Sequence, residues 1–187
     1  MKKVAFLLST FLVAASLAMG QPQKTAEAKT GESGKERKTE KVALRKLEGN
    51  EVSTLSKNSF IQDFANVTDI HWNRSENFDE ASFTNKDGKR LTAFYGIDGK
   101  LVGTTQDVKF SDVPPMGQKE ILKKYKDYKI GNVVYFVDNS TNESDMVLWS
   151  AQFDDQDNYF VELTKGQNSI IVKVDTKGAL SFFKTLK

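Results

Sequence analysis

The 187-residue chain contains no cysteine. That excludes disulfide staples, a thiol nucleophile, thiolate metal sites and a lipid-modified cysteine. Histidine is almost as scarce, with His71 standing alone. No Gly-x-Ser-x-Gly elbow, no phosphate-cradling glycine loop and no HExxH helix occurs. Hydrolases, nucleotide binders and zinc peptidases built on those motifs therefore lose their sequence signatures. The chain reads as non-enzymatic, and no cofactor is implied.

A strong charge of one sign is also missing. Lys and Arg number 27 against 25 Asp and Glu. Without Lys2 and Lys3 the balance is 25 against 25, a net charge of zero. A nucleic-acid partner, which calls for a basic surface, is not expected.

Long apolar runs are absent except at the amino terminus. There Lys2 and Lys3 precede an apolar stretch, Val4 to Val13, broken by Ser9 and Thr10, and Ala18-Met19-Gly20 follows. This is the layout of a secretory signal peptide over residues 1–20, and the stretch is short for a membrane span. The expected location is periplasmic or secreted, after cleavage near Gly20, with no membrane anchor in the mature form.

Residues 21–50 read as a disordered linker. They hold 8 basic and 5 acidic residues and no aromatic one, too little apolar surface to offset the entropy of ordering. The folded domain is expected over 51–187, with half-repeats at 51–110 and 111–187.

Within it, Phe60, Ile61, Phe64 and Val67 recur at helical spacing, with Ser56 or Asn58 as a cap. Strands follow at Val67 to Asn73, Phe78 to Thr84, Arg90 to Ile97 and Lys100 to Val108. Their turns fall at Asp87-Gly88 and Asp98-Gly99, where glycine supplies positive φ without strain. Pro114-Pro115 opens a second helix, to about Lys126, whose stripe is Ile121, Leu122, Tyr125 and Tyr128. Five further strands are expected: Asn132 to Asp138, Asp145 to Phe153, Tyr159 to Lys165, Ser169 to Asp175 and Ala179 to Lys184. Their turn signals include Lys165-Gly166 and Lys177-Gly178. The fold class is α+β, an antiparallel sheet with helices packed on one face, as a tandem repeat of helix-then-strands or one continuous sheet.

Several features in this order resemble the PepSY-like, β-lactamase-inhibitor-like family of small secreted bacterial proteins. They are the Trp72-bearing first strand, the run Phe94-Tyr95-Gly96-Ile97-Asp98-Gly99-Lys100-Leu101, and Asp112-Val113-Pro114-Pro115 before a lysine-rich helix. Tyr159 to Leu163 and Val174-Asp175-Thr176-Lys177-Gly178 complete the set. The resemblance spans about Phe60 to Leu186. It implies a sheet with a helical layer, export to the periplasm or beyond, and no enzyme activity. It transfers no inhibitory residue to a position in this chain.

Candidate sites are few. His71 reads as a surface position on a strand, sharing its face with Asp69 and Asn73. Asp154, Asp155 and Asp157 offer three carboxylates to a hard cation such as Ca2+, but without the glycine and distal glutamate of an EF-hand; a polar turn is the simpler reading. In the second half both strand faces are apolar. Tyr135, Trp149, Tyr159 and Phe182 alternate with Phe136, Leu148, Phe160, Ile171 and Phe183. Either the second set is covered by the chain itself or it is a binding face. The expected function is a binding module that takes a protein or peptide of the cell envelope through a sheet face. The alternatives are inhibition of an envelope hydrolase and a response to a small ligand or calcium.

Overall fold

The computed structural model describes residues 44–186. The expected signal peptide and residues 21–43 of the expected linker lie outside the described residues.

Helix α1 (Thr54–Asp63) precedes four strands, β1 (Thr68–Arg74), β2 (Asp79–Thr84), β3 (Arg90–Tyr95) and β4 (Leu101–Val108). A 3-10 turn (Phe110–Asp112) leads to helix α2 (Pro115–Lys124). After it come β5 (Lys129–Asp138), the short β6 (Met146–Leu148) and β7 (Ala151–Phe153), then β8 (Asn158–Lys165), β9 (Asn168–Asp175) and β10 (Leu180–Thr185). Eight strands form one antiparallel sheet in the order β1-β2-β3-β4-β5-β8-β9-β10, while β6 and β7 form a separate ribbon.

The four expected glycine turns are present, with Gly88, Gly99, Gly166 and Gly178 all at positive φ. Two of them are also pressed against helices. A Cβ on Gly99 would lie 2.6 Å from Leu55 Cβ at the start of α1, and one on Gly178 2.9 Å from Met116 Cβ at the start of α2. Gly88 and Gly166 face open space. In each half the turn before the fourth sheet strand thus abuts the first turn of the preceding helix.

Both helices pack on one face. Phe60 of α1 sits with Ala81, Phe83, Ala93 and Tyr95, and Ile121 of α2 with Val133, Val161, Leu163, Val172 and Val174. Gly117 lets α2 approach, since a Cβ there would lie 2.4 Å from Val174. The helix stripes are narrower than expected. Ile61 and Leu122 are exposed, because 100° per residue turns each away from its buried neighbour. The α1 cap is Ser53, whose hydroxyl accepts from the Leu55 amide at 3.1 Å. Ser56, expected as a cap, is instead buried inside the helix and donates to Asp79.

Asp145 to Phe153 is not one strand. It breaks at Trp149 and Ser150, both left-handed with φ of 49° and 58°, and folds back as the β6–β7 ribbon. The turn carries neither Gly nor Asn, so its sequence gave no turn signal. Residues 44–50 are not free linker either. The Leu47 amide donates to the Glu76 carbonyl at 2.9 Å, and Arg74 Nη1 donates to the Glu48 carbonyl at 2.8 Å.

Candidate functional site

The helix-free face of the sheet has two regions of opposite character. Over the second half it is apolar and closed. Phe136, Phe160 and Ile171 are buried with Phe78, Phe94 and Val102 beneath Met146 and Phe153 of the ribbon. Phe153 meets Phe160 at 4.9 Å and Phe136 at 5.1 Å between ring centroids, and Phe183 stacks edge-on to Phe160 at 4.9 Å. Leu148 lies on the ribbon rather than on the sheet. Trp149 at the ribbon's tip packs on Phe160 and Phe183, and Lys184 Nζ donates to its carbonyl.

The candidate binding face of Phe136, Leu148, Phe160, Ile171 and Phe183 is therefore corrected to its covered alternative, with Phe136, Phe160 and Ile171 buried and Leu148 and Phe183 partly so. The cover comes from neither helix. Burying these aromatic side chains beneath the ribbon removes apolar area from water, at about 25 cal/mol per Å², so the ribbon has a reason to stay in place.

Over β1 to β4 the same face is polar. Cross-strand register lines up His71, Ser82, Thr92 and Thr105 on successive strands. Ser82 and Thr92 share a hydroxyl hydrogen bond of 2.9 Å. Thr84, paired with Arg90, extends the surface along the strands. His71, Asn73 and Arg90 are exposed, and Ser82, Thr84, Thr92 and Thr105 are partly so. The ribbon stands at one border, where Val147 and Ser150 share a shallow cleft with Phe78 and Glu80. Sequence reasoning passed over this face, although its signal was visible. Glu80, Ser82 and Thr84 alternate with Asp79, Ala81 and Phe83, the pattern of a sheet with one wet side.

His71 thus belongs to a polar row, with Asn73 beside it opposite Glu80. Asp69 does not continue the alternation. It is left-handed, φ 54°, in a bulge between Thr68 and His71, which also leaves Ile70 exposed rather than paired in direction with Trp72.

The acidic loop is dispersed. Asp157 accepts from the Tyr135 hydroxyl at 3.1 Å and from the Asp138 amide at 2.8 Å. Burial, then the Asp157 carboxylate, pushes the Tyr135 phenol up to about 12. Burial raises Asp155, reinforced by Asp145, Asp154 and Glu143. Asp138 is pushed up to about 6 by burial, then by Asp155 and Asp157. Among the described residues no three acidic or histidine side chains converge to hold a metal ion. Asp154, Asp155 and Asp157 follow one another along the chain without forming a coordination shell.

A buried ion pair fixes the α1 end of the sheet. Asp79 receives Arg74 Nε at 2.7 Å and Nη2 at 2.9 Å, the Ser56 hydroxyl at 2.8 Å and the Ser53 amide at 3.0 Å. Burial alone would raise the Asp79 carboxyl, but these four donors hold it below the usual range. Its acceptors are fully engaged, so the pair reads as architecture.

Solved structures with this arrangement are known. A BLIP-like protein from Bacteroides fragilis matches at 14% identity and TM-score 0.57, over 74% of this chain and 89% of its own. The fold is BLIP-like. A DUF2874 family protein from Bacteroides uniformis aligns at TM-score 0.60 and 14% identity, over 73% of this chain and 91% of its own. A Bacteroides eggerthii protein assigned provisionally to the periplasm aligns at TM-score 0.59 and 14% identity, over 73% and 90%. No family model and no curated protein matches the sequence. The β-lactamase-inhibitor-like part of the expected resemblance thus stands as a fold, and the PepSY part rests on the sequence features alone. No helix of the described residues is long and apolar enough to cross a membrane.

Proposed function

We propose that this BLIP-like chain is a non-enzymatic binding module of the bacterial envelope, and that it takes a protein or peptide on the helix-free face of β1–β4. The observation that carries this reading is the division of that face. The ribbon covers the β5–β10 side, and the row His71, Ser82, Thr92, Thr105 is left open. A flat array of hydroxyl, amide and imidazole groups matches the polar composition of many non-obligate interfaces. The ribbon tip at its border adds a raised wall. Export with cleavage near Gly20 and a periplasmic location belong to this proposal, supported by the amino-terminal pattern and by the provisional location of one structural neighbour.

We read the two halves as a tandem repeat. Each is a helix followed by four sheet strands, with corresponding left-handed glycines against the helix start. The ribbon is then an insertion between β5 and β8 of the second half.

The test is affinity capture from envelope extract with wild-type protein and with Ser82→Arg and Thr92→Arg, identified by mass spectrometry. A partner held by wild type and lost from both thermally intact variants supports the face. A partner held equally by all three removes it. The BLIP-like fold also favours a second reading, inhibition of an envelope hydrolase; β-lactamase and protease assays with added protein decide it.

A further inference from the structure

A cleft outside the sheet face has the chemistry of a ligand site. It lies where residues 44–45 cross the β3–β4 turn, and its volume is about 240 Å³. At about 30 Å³ per water, that is room for on the order of eight waters, or a ligand of similar heavy-atom count. Phe78 and Val102, 2% and 1% exposed, form an apolar floor. Leu44 and the exposed Ile97 wall it.

Arg45, Asn77 and Ser144 supply the polar lining. None of these three side chains has a hydrogen bond or ion pair among the described residues, so their donors are available. The acidic group in the lining is not. Asp98 pairs with Lys100 Nζ at 3.3 Å and accepts from the Lys100 amide at 3.1 Å. The uncompensated charge is therefore the Arg45 guanidinium, a planar fork suited to a carboxylate.

We propose that this cleft binds a small carboxylate with an apolar body, the head on Arg45 with help from Asn77 and Ser144, the tail on Phe78 and Val102. An apolar floor with a few polar groups at its margin is the usual make-up of a small-molecule site. An amine lacks a free acidic partner there, and an uncharged analogue leaves Arg45 unpaired. The cleft shares no residue with the row His71, Ser82, Thr92, Thr105, so it stands or falls apart from the sheet-face reading.

The experiment is a titration of 15N-labelled protein with 4-methylpentanoate, followed by amide shifts. The matching 4-methylpentanamide and 3-methylbutylamine are titrated in parallel. Saturable shifts at Asn77, Phe78, Ile97 and Ser144 are expected, with affinity about tenfold weaker in Arg45→Gln and for the amide. Arg45 is exposed and its side chain has no hydrogen bond or ion pair among the described residues, so the variant should melt like wild type; Lys46→Gln controls for a general charge effect. The proposal is overturned by no shift at about 20 mM acid, by shifts centred on Ser82 and Thr92, or by equal weakening in Lys46→Gln.

Discussion

Asp138 ends β5 with a buried oxygen, Oδ1, that has no partner among the described residues. Its carboxyl is raised to about 6, by burial first and then by Asp155 and Asp157, against about 3.9 in an unfolded chain. The folded state therefore holds this proton more tightly. The stabilisation is full below the unfolded value and is lost as pH rises through about 6. Asp79 has the opposite sign, since its lowered value makes its contribution vanish as pH falls through the acid range below the unfolded value. Melting temperature should peak between these limits. Asp138→Asn should raise it on the order of a few degrees at pH 7.5 and leave it nearly unchanged at about pH 3.5, below the unfolded value, a difference that thermal melts at both pH values will read. Asp79→Ala strands the Arg74 guanidinium and the Ser56 hydroxyl in a buried place. It should cost about 3–5 kcal/mol in urea denaturation.

Among the elements, the β6–β7 ribbon is the least regular in sequence and the most consequential for the surface. Its turn holds Trp149 and Ser150 in left-handed geometry, which costs an ordinary residue roughly 1–2 kcal/mol. Ser150→Gly should stabilise the protein by about 1 kcal/mol, net of the added unfolded-state entropy; the same change at Trp149 would also remove its packing on Phe160 and Phe183. The ribbon's cover gives a second expectation. Phe160→Ala should cost about 3–5 kcal/mol, because it empties a site walled by Phe153, Phe183 and Trp149. Phe182→Ala, on the same strand as Phe183 but 56% exposed, should fall within about 0.5 kcal/mol of wild type. Near-equal costs in chemical denaturation would mean that the ribbon stands off the sheet in solution.

For the whole molecule, the decisive contact is the seam between the halves. β4 and β5 pair over six residues, from Gly103 opposite Asp138 to Val108 opposite Val133. Gly103 is part of the fit, since a Cβ there would lie 2.5 Å from the Phe136 ring. The helix-free core spans the seam too, joining Phe78 and Phe94 of the first half to Phe136, Phe160 and Ile171 of the second. Residues 44–186 should therefore unfold in one transition, with calorimetric and van't Hoff enthalpies in agreement. Two separated transitions would show that each half is stable without the other.

The sequence by itself determined what depends on neighbours along the chain. Glycine after aspartate or lysine set the four tight turns, because positive φ is strained for other residues. Pro115 set the start of α2, and alternation set most strand limits. The sheet's one wet side is legible in Ser82, Thr84 and Thr92, although the apolar strands of the second half carry the stronger sequence signal. Only the tertiary structure decided which strands are neighbours across the gap from β5 to β8, and that the second apolar face is closed by a ribbon. Periodicity reports that a face must be buried and is silent on what buries it. The ribbon's turn uses a conformation that its residues do not favour locally, and packing of Trp149 and Phe153 onto Phe160 overrides that preference. The burial of Ser56 beside Asp79 escaped local reading for the same reason, since its partners lie 23 residues apart.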